Sequence, residues 1–440
     1  MRPLVRTIPP GPKARQVLLR DRKVMSQSMV REYPLVVDRA KGVNVWDVDG
    51  NRYLDMNSFI AVMNFGHSHP RITAAIKAQI GKMTHAGFLD FYADLPVRFA
   101  ERLLKHLPKG FSKVYFSNSG AESIEAAMKL ARHHTRRKYF MSFYGGFHGR
   151  TYGALSLTSA KTIHRKHFGP FLSVIHAPYP NPYRCPVGSN ANTCDVDTLR
   201  YIEEEIFATE ADPEEVAAIF VEPVQGESGY IVPPPNFLKR LRKLCSDNGI
   251  LMVADEVQSG GYRTGKFLAM EHFGVKPDIV CLSKSIGGGL PFGVTASTDD
   301  VMTWPRGSHA STFGGNLASV SAANAVLDII EGHKNLGKEV ERKGRKIQNF
   351  LKKLQKKHEI IGDVRGLGLM IGMELVKDRA TKRPAKEERD RIIEDCFRKG
   401  LLLLPAGQSV IRFAPPLIMA DEDIDCGLEI LEDVMAKQFL

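Results

Sequence analysis

The residues of this chain best placed for chemistry stand at the ends of short apolar runs. The run Ile279 to Leu282 delivers a single lysine, Lys284, into Ser283, Ser285 and three consecutive glycines. Beyond the carboxyl end of a strand in an open α/β sheet, a lysine can be desolvated enough to act as an amine nucleophile. The alternative is a lysine solvated in a flexible loop, the usual state of that residue. Upstream, the run GILMVADE ends on Asp255 and Glu256. A carboxylate that follows largely apolar residues should be buried, and it then needs a partner or must lose its charge. A protonated ring nitrogen would be such a partner, and so would a structural ion pair. Ser117-Asn118-Ser119-Gly120-Ala121-Glu122 lies between a strand pattern and a helix pattern. Its backbone N–H groups and the positive helix terminus can hold a phosphate, or the motif can be a simple cap. It lacks the lysine of a Walker loop and the triple-glycine dinucleotide pattern, which disfavours a nucleotide. AAIFVEPVQGESGY places Glu222 at a strand's end and Glu227 in a Gly-rich loop, either as acid and base or as a temporary neutraliser of a cation. A lysine for a Schiff base, a buried aspartate for a pyridinium nitrogen and a helix terminus for a phosphate are the three parts that hold pyridoxal phosphate. GGFHGRT, Gly145 to Thr151, adds Phe147 as a cover for the ring and Arg150 as an anion binder.

From Val43 to Leu431 the order of these motifs resembles the class III pyridoxal-phosphate aminotransferases of fold type I, the group of 4-aminobutyrate, ornithine and acetylornithine aminotransferases. The resemblance implies that Lys284 carries the cofactor as an imine, Asp255 pairs with the pyridine nitrogen and Gln258 meets the ring hydroxyl. It also implies that Ser119, Gly120 and Ala121 hold the phosphate, joined by Thr312 of STFGGN from a second subunit of a homodimer or larger homo-oligomer. Phe147 stands where the family often has tyrosine, and His148 and Glu222 are counted among the cofactor-binding residues. Lys284 and Asp255 are the catalytic pair of this reading. For substrate, Arg412 in VIRFAPP matches the arginine that takes the α-carboxylate of glutamate or 2-oxoglutarate. Glu227 matches the glutamate that masks that arginine when an ω-amine binds, a bidentate pair acting as a switch. Some relatives that racemise amino acids carry aspartate at that position, so Glu227 favours transamination. Ile60 in SFIAVMNFGH resembles the apolar residue of 4-aminobutyrate aminotransferases, where ornithine aminotransferases have tyrosine, and Arg150 would bind the distal carboxylate. Asp90, in Leu89-Asp90-Phe91-Tyr92, would either attract a second substrate amine or serve as a cap or surface acid. The expected activity is transfer of an amino group from a 4-aminobutyrate-like donor to 2-oxoglutarate. Ornithine, lysine or acetylornithine transamination and amino-acid racemisation are the alternatives within the family.

The elements that must position these residues follow from periodicity. From about Ser112, short apolar runs alternate with helical patterns: KVYFS, AESIEAAMKLARHH, KYFMSF, AAIFVEP, the helix 236–248, GILMVADE, DIVCLS and FGVTAS. Such alternation implies a mostly parallel, doubly wound α/β sheet. Earlier, NVWDVDGNRY alternates around Asp-Gly as a β-hairpin does, and helical spacing covers 70–83 and 94–106. Later, a long helical pattern at 318–357 leads to the strands GLMIGMEL, GLLLLP and VIRFAPP, a charged helix over 386–399 and a closing helix over 421–438. The expected division is an N-terminal segment, 1–66, contributing to a small α+β domain, a large cofactor-binding domain, 67–320, and a C-terminal small domain, 321–440.

With 440 residues, 43% hydrophobic and 25% charged, the chain has the composition of a soluble globular protein larger than one core. Its net charge of +12 is spread along the sequence, and the densest run, Lys352 to His358, fits the wet face of an amphipathic helix. Nucleic acid is therefore not an expected partner, whereas anionic small molecules are. No run approaches the roughly 18 apolar residues of a membrane span. The N-terminal stretch lacks a signal-peptide core, so a cytoplasmic location is expected, with an arginine-bearing transit peptide as the alternative. The six cysteines form no CxxC pair and no metal site is expected. Cys185 and Cys194 flank a Pro/Gly/Asn-rich loop, but reduced thiols are expected of a cytosolic protein.

Overall fold

A computed structural model of the protein describes residues 2–438. The chain divides into two compact units, Arg71–Glu339 and Met1–Pro70 with Val340–Leu440. In the larger unit, seven short runs form one sheet: β1 (Lys113–Ser117), β2 (Tyr139–Phe143), β3 (Val174–Ala177), β4 (Val216–Val221), β5 (Leu251–Asp255), β6 (Ile279–Leu282) and β7 (Gly293–Ser297). Their order is β1-β7-β6-β5-β4-β2-β3. The strands from β6 to β3 pair in parallel, while β7 is antiparallel to both β6 and β1. All strands but β7 therefore run the same way and end at one edge. Every residue of β4, β5 and β6 is buried. Strands covered on both faces must be apolar throughout, which is why these segments read as continuous runs rather than alternating ones.

Helix Gly120–Thr135 places Ile124, Ala127, Met128, Leu130 and Ala131 in a core shared with Phe140, Phe220, Val253, Ile279 and Cys281. These positions recur at three- and four-residue spacing on one face. Burying each large apolar side chain contributes about 1.5–3 kcal/mol, whereas propensity differences among ordinary residues reach only about 0.7 kcal/mol. Packing on the sheet, rather than propensity, fixes the helix. Its start is set by Ser119, whose Oγ accepts from the Glu122 N–H at 3.1 Å, while the Glu122 carboxylate accepts from the Asn118 N–H at 2.6 Å. Arg136 ends it with φ of +62°.

Residues 321–339, expected in the C-terminal domain, group with the larger unit. Helix Leu317–Gly332 packs against helix Asp94–Leu104 and the turn that begins at Lys284. A Cβ on Gly288 would stand 3.3 Å from Val326 Cγ2 and 3.2 Å from Ile72 Cγ2.

In the smaller unit, Asn44–Asp47 and Arg52–Asp55 form the hairpin expected around Asp49-Gly50, flanked by Val37–Lys41 and, in parallel, by Leu401–Leu402. Phe397 stacks on Tyr53 and Tyr33, with ring centroids 5.3 and 4.6 Å away. A second sheet joins Ile361–Leu367, Met370–Asp378, Val410–Phe413 and Leu404–Ala406. The run GLLLLP, expected as one strand, thus divides between two sheets, with Leu403 at the crossing. Cys185 and Cys194, expected to be reduced, are joined in a disulfide. Their loop folds back so that the Cα atoms lie 5.8 Å apart, within bonding reach. Among the described residues no helix is long and apolar enough to cross a membrane.

The junction of β7 with the start of helix Gly120–Thr135 is tight. A Cβ on Gly293 would strike Ser117 Oγ and the Ser119 carbonyl oxygen. Gly293→Ala should therefore lower the unfolding free energy by about 1–3 kcal/mol through overpacking. Urea unfolding with an unchanged m-value measures this, and an unaltered midpoint would show that the junction is loose.

Candidate active site

Five of the strand ends on one edge of the larger sheet supply the candidate residues. Asp255 closes β5 and is 5% exposed. Its Oδ2 lies 2.7 Å from His148 Nδ1, and its Oδ1 accepts from the Val257 N–H at 3.0 Å. The His148 N–H in turn donates to Thr158 Oγ1 at 2.9 Å. Burial opposes charging of this imidazole, but the hydrogen bond and charge of Asp255 outweigh it, so the pKa of His148 is raised. Glu222 follows β4 directly. Its Oε1 accepts from Phe147 N and its Oε2 from Gly226 N, both at 2.8 Å. Burial pushes its pKa up to about 7, against the pull of His148 and with a further push from Asp255. One carboxylate thus ties the GGFHGRT loop after β2 to the Gly-rich loop after β4. Gln258 is set by Tyr230, whose hydroxyl donates to Gln258 Oε1 at 3.0 Å, and by Gly226, where a Cβ would strike Gln258 Nε2.

Lys284 stands two residues beyond β6, the parallel neighbour of β5, and Asp255 pairs in register with Cys281. It is half-buried and has φ of +44°. A non-glycine residue in this left-handed region costs about 1–2 kcal/mol, and such strain collects at functional sites. Ser283 Oγ donates to the Phe292 carbonyl at 2.6 Å and braces the turn. At the end of β1, the Gly120 and Ala121 N–H groups occupy the first turn of a 16-residue helix, where no intrahelical acceptor exists. A Cβ on Gly120 would come within 2.8 Å of Val257 Cγ1. Glycine therefore lets this terminus close on the loop that follows Asp255.

The arrangement fits pyridoxal phosphate on three counts. An amine and a buried carboxylate project from neighbouring strand ends, and a helix terminus made narrow by glycine can hold an anion. The half-buried Phe147 packs edge-on against His164 at 5.5 Å, with the Arg150 guanidinium 5.6 Å from its ring. Burial, and then the charges of Arg150 and Lys161, push the His164 pKa down to about 4, against the charge of Glu227. Glu227 lies 3.9 Å from Lys161 Nζ. Thr312 is in an exposed loop whose Ser311 Oγ accepts from Asn118 Nδ2 at 3.0 Å, and Asp90 is exposed.

The smaller unit carries the other two expected substrate residues. Arg412 is 5% exposed in Val410–Phe413, opposite Gly372 and Leu404. Ile60 lies in the turn Ser58–Ala61, whose four residues all have positive φ. Sequence reading did not single out Tyr230, Lys161 or Asp55, the partner of His67 beside that turn. Tyr230 ends the motif containing Glu227 and was open to notice there; the other two carry no local signal.

The sequence model of the family described as Aminotransferase class-III matches residues 25–435. A leucine/methionine racemase of Thermococcus litoralis is 39% identical over 93% of this chain and 92% of its own length. A probable 4-aminobutyrate aminotransferase of Bacillus subtilis is 38% identical over 90% of this chain and 91% of its own. The solved structure of an amine transaminase from an uncultivated Pseudomonas species, in its PLP-bound internal aldimine form, is 30% identical with a TM-score of 0.87, covering 94% of this chain and 98% of its own.

Glu222 and His148 both have folded pKa values above their ordinary ones, so the folded protein binds more protons than the unfolded one. The Glu222 contribution is full below pH 4.5 and is lost as pH rises through about 7; that of His148 is full below 6.5 and is lost through its raised value. Between pH 5 and pH 8 the stability of Glu222→Gln should therefore fall less than that of the wild type, by about 2 kcal/mol. Parallel urea-unfolding profiles for the two proteins would refute that.

Proposed function

Because the chain belongs to the class III aminotransferases, which hold pyridoxal phosphate, we propose that it moves the amino group of a 4-aminobutyrate-like ω-amino acid to 2-oxoglutarate. The observation that carries this reading is Lys284, held in a left-handed turn on the strand beside Asp255. When bound, pyridoxal phosphate supplies an electron-poor ring that accepts charge from the carbon next to the substrate amine. Lys284 Nζ would hold the cofactor and, once displaced by substrate, would take the proton from that carbon and pass it on rather than return it there, since return to the same carbon gives inversion and not amino transfer. Asp255 keeps a proton on the ring nitrogen, and His148 holds the Asp255 carboxylate in place. Ser119, Gly120 and Ala121 take the phosphate, Phe147 covers the ring, and Gln258, oriented by Tyr230, meets the ring hydroxyl. Glu222 fixes the two loops that carry Phe147 and Gly226.

Arg150 receives the distal carboxylate of the donor, a role supported by its guanidinium standing 5.6 Å from the Phe147 ring. Ile60 offers an apolar contact, and Arg412 takes the α-carboxylate of the oxo acid. Glu227, rather than aspartate, favours transamination. Thr312 reaches the phosphate of a neighbouring subunit in a homodimer. Exposure of that loop supports the assignment, with Phe313 61% exposed, as does exposure of Phe91 at 70% and Tyr92 at 99%.

Similarity to a leucine/methionine racemase favours a second reading, inversion of an α-amino acid through the same lysine. Glutamate formation from 2-oxoglutarate across a panel of amino donors separates the two, and 4-aminobutyrate-like donors should lead the panel. Inversion of single-enantiomer amino acids without any oxo acid would establish the second reading instead. Lys284→Ala should lose at least about a hundredfold in turnover; full retention would refute the mechanism.

A further inference from the structure

The turn Ser58–Ala61 is a run of four non-glycine residues with φ of 51, 48, 63 and 58°. L-residues enter this region singly and not in runs, so the surroundings must impose it. The clamp is visible. Asp55 Oδ1 accepts from the Asn57 and Ser58 N–H groups at 2.8 and 2.9 Å, and Asn57 Oδ1 accepts from the Ile60 N–H at 2.9 Å. Asp55 Oδ2 lies 2.7 Å from His67 Nε2, and the His67 ring meets the Phe59 ring edge-on at 4.5 Å. His67 is itself fixed by backbone hydrogen bonds with Gly42 in both directions. Asp55 and Asn57 are 0% and 2% exposed, so water cannot replace these bonds. Ser58 Oγ donates to the Ala414 carbonyl at 2.6 Å, and the Ala414 N–H donates to the Met56 carbonyl at 2.9 Å. Ala414 lies two residues beyond Arg412, so the clamp joins the turn bearing Ile60 to the strand bearing Arg412.

We propose that Asp55, Asn57 and Ser58 are positioning residues that set donor choice, by holding Ile60 in a left-handed turn at a fixed offset from Arg412. The inference rests on the reading that Ile60 and Arg412 face substrate. A right-handed turn would carry the Ile60 side chain elsewhere, and the contact that separates a short ω-amino acid from one bearing a second amine and an α-carboxylate would be lost. Removing the clamp should therefore blur the choice between donors and leave proton transfer at Lys284 intact.

The test uses the holoenzyme with 2-oxoglutarate and compares kcat/KM for 4-aminobutyrate and for L-ornithine. Asn57→Ala should change the ratio by about tenfold or more through donor KM, with kcat within about twofold. Asn57→Asp, which keeps an acceptor for the Ile60 N–H, should retain the wild-type ratio. Ser58→Ala removes the tether to Ala414; it should shift the ratio in the same direction and serves if Asn57→Ala does not fold. Ile60→Ala leaves the clamp untouched and should also shift the ratio. If Ile60→Ala leaves the ratio unchanged, or the wild type uses neither donor, the substrate-facing reading fails and the inference falls with it. If Ile60→Ala shifts the ratio while Asn57→Ala and Ser58→Ala lower only Tm, the clamp is merely structural and the positioning claim alone is overturned.

Discussion

Much of the larger unit depends on the contact between Asp255 and His148. A carboxylate that ends a fully buried strand loses its hydration, and an uncompensated charge there would cost several kcal/mol. His148 meets that need at 2.7 Å and in doing so draws the loop after β2 across the end of β5. Glu222 extends the arrangement by accepting N–H groups from both flanking loops. Loops at a sheet edge are usually the mobile part of an α/β unit. Here they are bound to one another by groups that cannot return to water, which gives the edge the rigidity a covalent cofactor requires.

Strain and close approach appear where these loops must turn. Lys284 occupies a left-handed conformation that glycine would adopt freely, so the turn is held against the preference of its own residue. The glycines around it remove side chains instead. Gly288 makes room for the helix carrying Val326, and Gly120 lets the helix terminus approach Val257. The lysine keeps a long side chain at this turn while its neighbours give theirs up.

The parts of this design that were legible in the sequence are those written locally. Apolar runs of four to six residues announced β4, β5 and β6, and with them the polar residues at or just beyond their ends, Glu222, Asp255 and Lys284. Ser119 was readable as a cap because caps involve neighbours in sequence. By contrast, β3 is a four-residue strand with a half-buried histidine, and nothing in its pattern separates it from a loop. The turn Ser58–Ala61 was hidden because ordinary preferences assign L-residues to right-handed conformations, and its clamp draws on His67 and Ala414. The Cys185–Cys194 bond was misjudged because an expectation about redox compartment outweighed the short loop between the two residues. The helix Leu317–Gly332 was assigned across a boundary because periodicity reveals a helix and not its packing partner.

The single antiparallel strand has a consequence for the order in which the molecule can be built. β7 begins at Gly293 and pairs with Ser117 beside the start of helix Gly120–Thr135, while its other side pairs with the strand that precedes Lys284. A growing chain would therefore release β1 and its helix long before the strand that locks them against β6. Contacts so distant in sequence form slowly, because loop closure must precede them. Until Gly293–Ser297 emerges, a nascent chain would leave the backbone N–H and C=O groups along that edge of β1 unpaired. The sheet edge that carries Lys284 is thus completed only after both halves of the sheet have been joined.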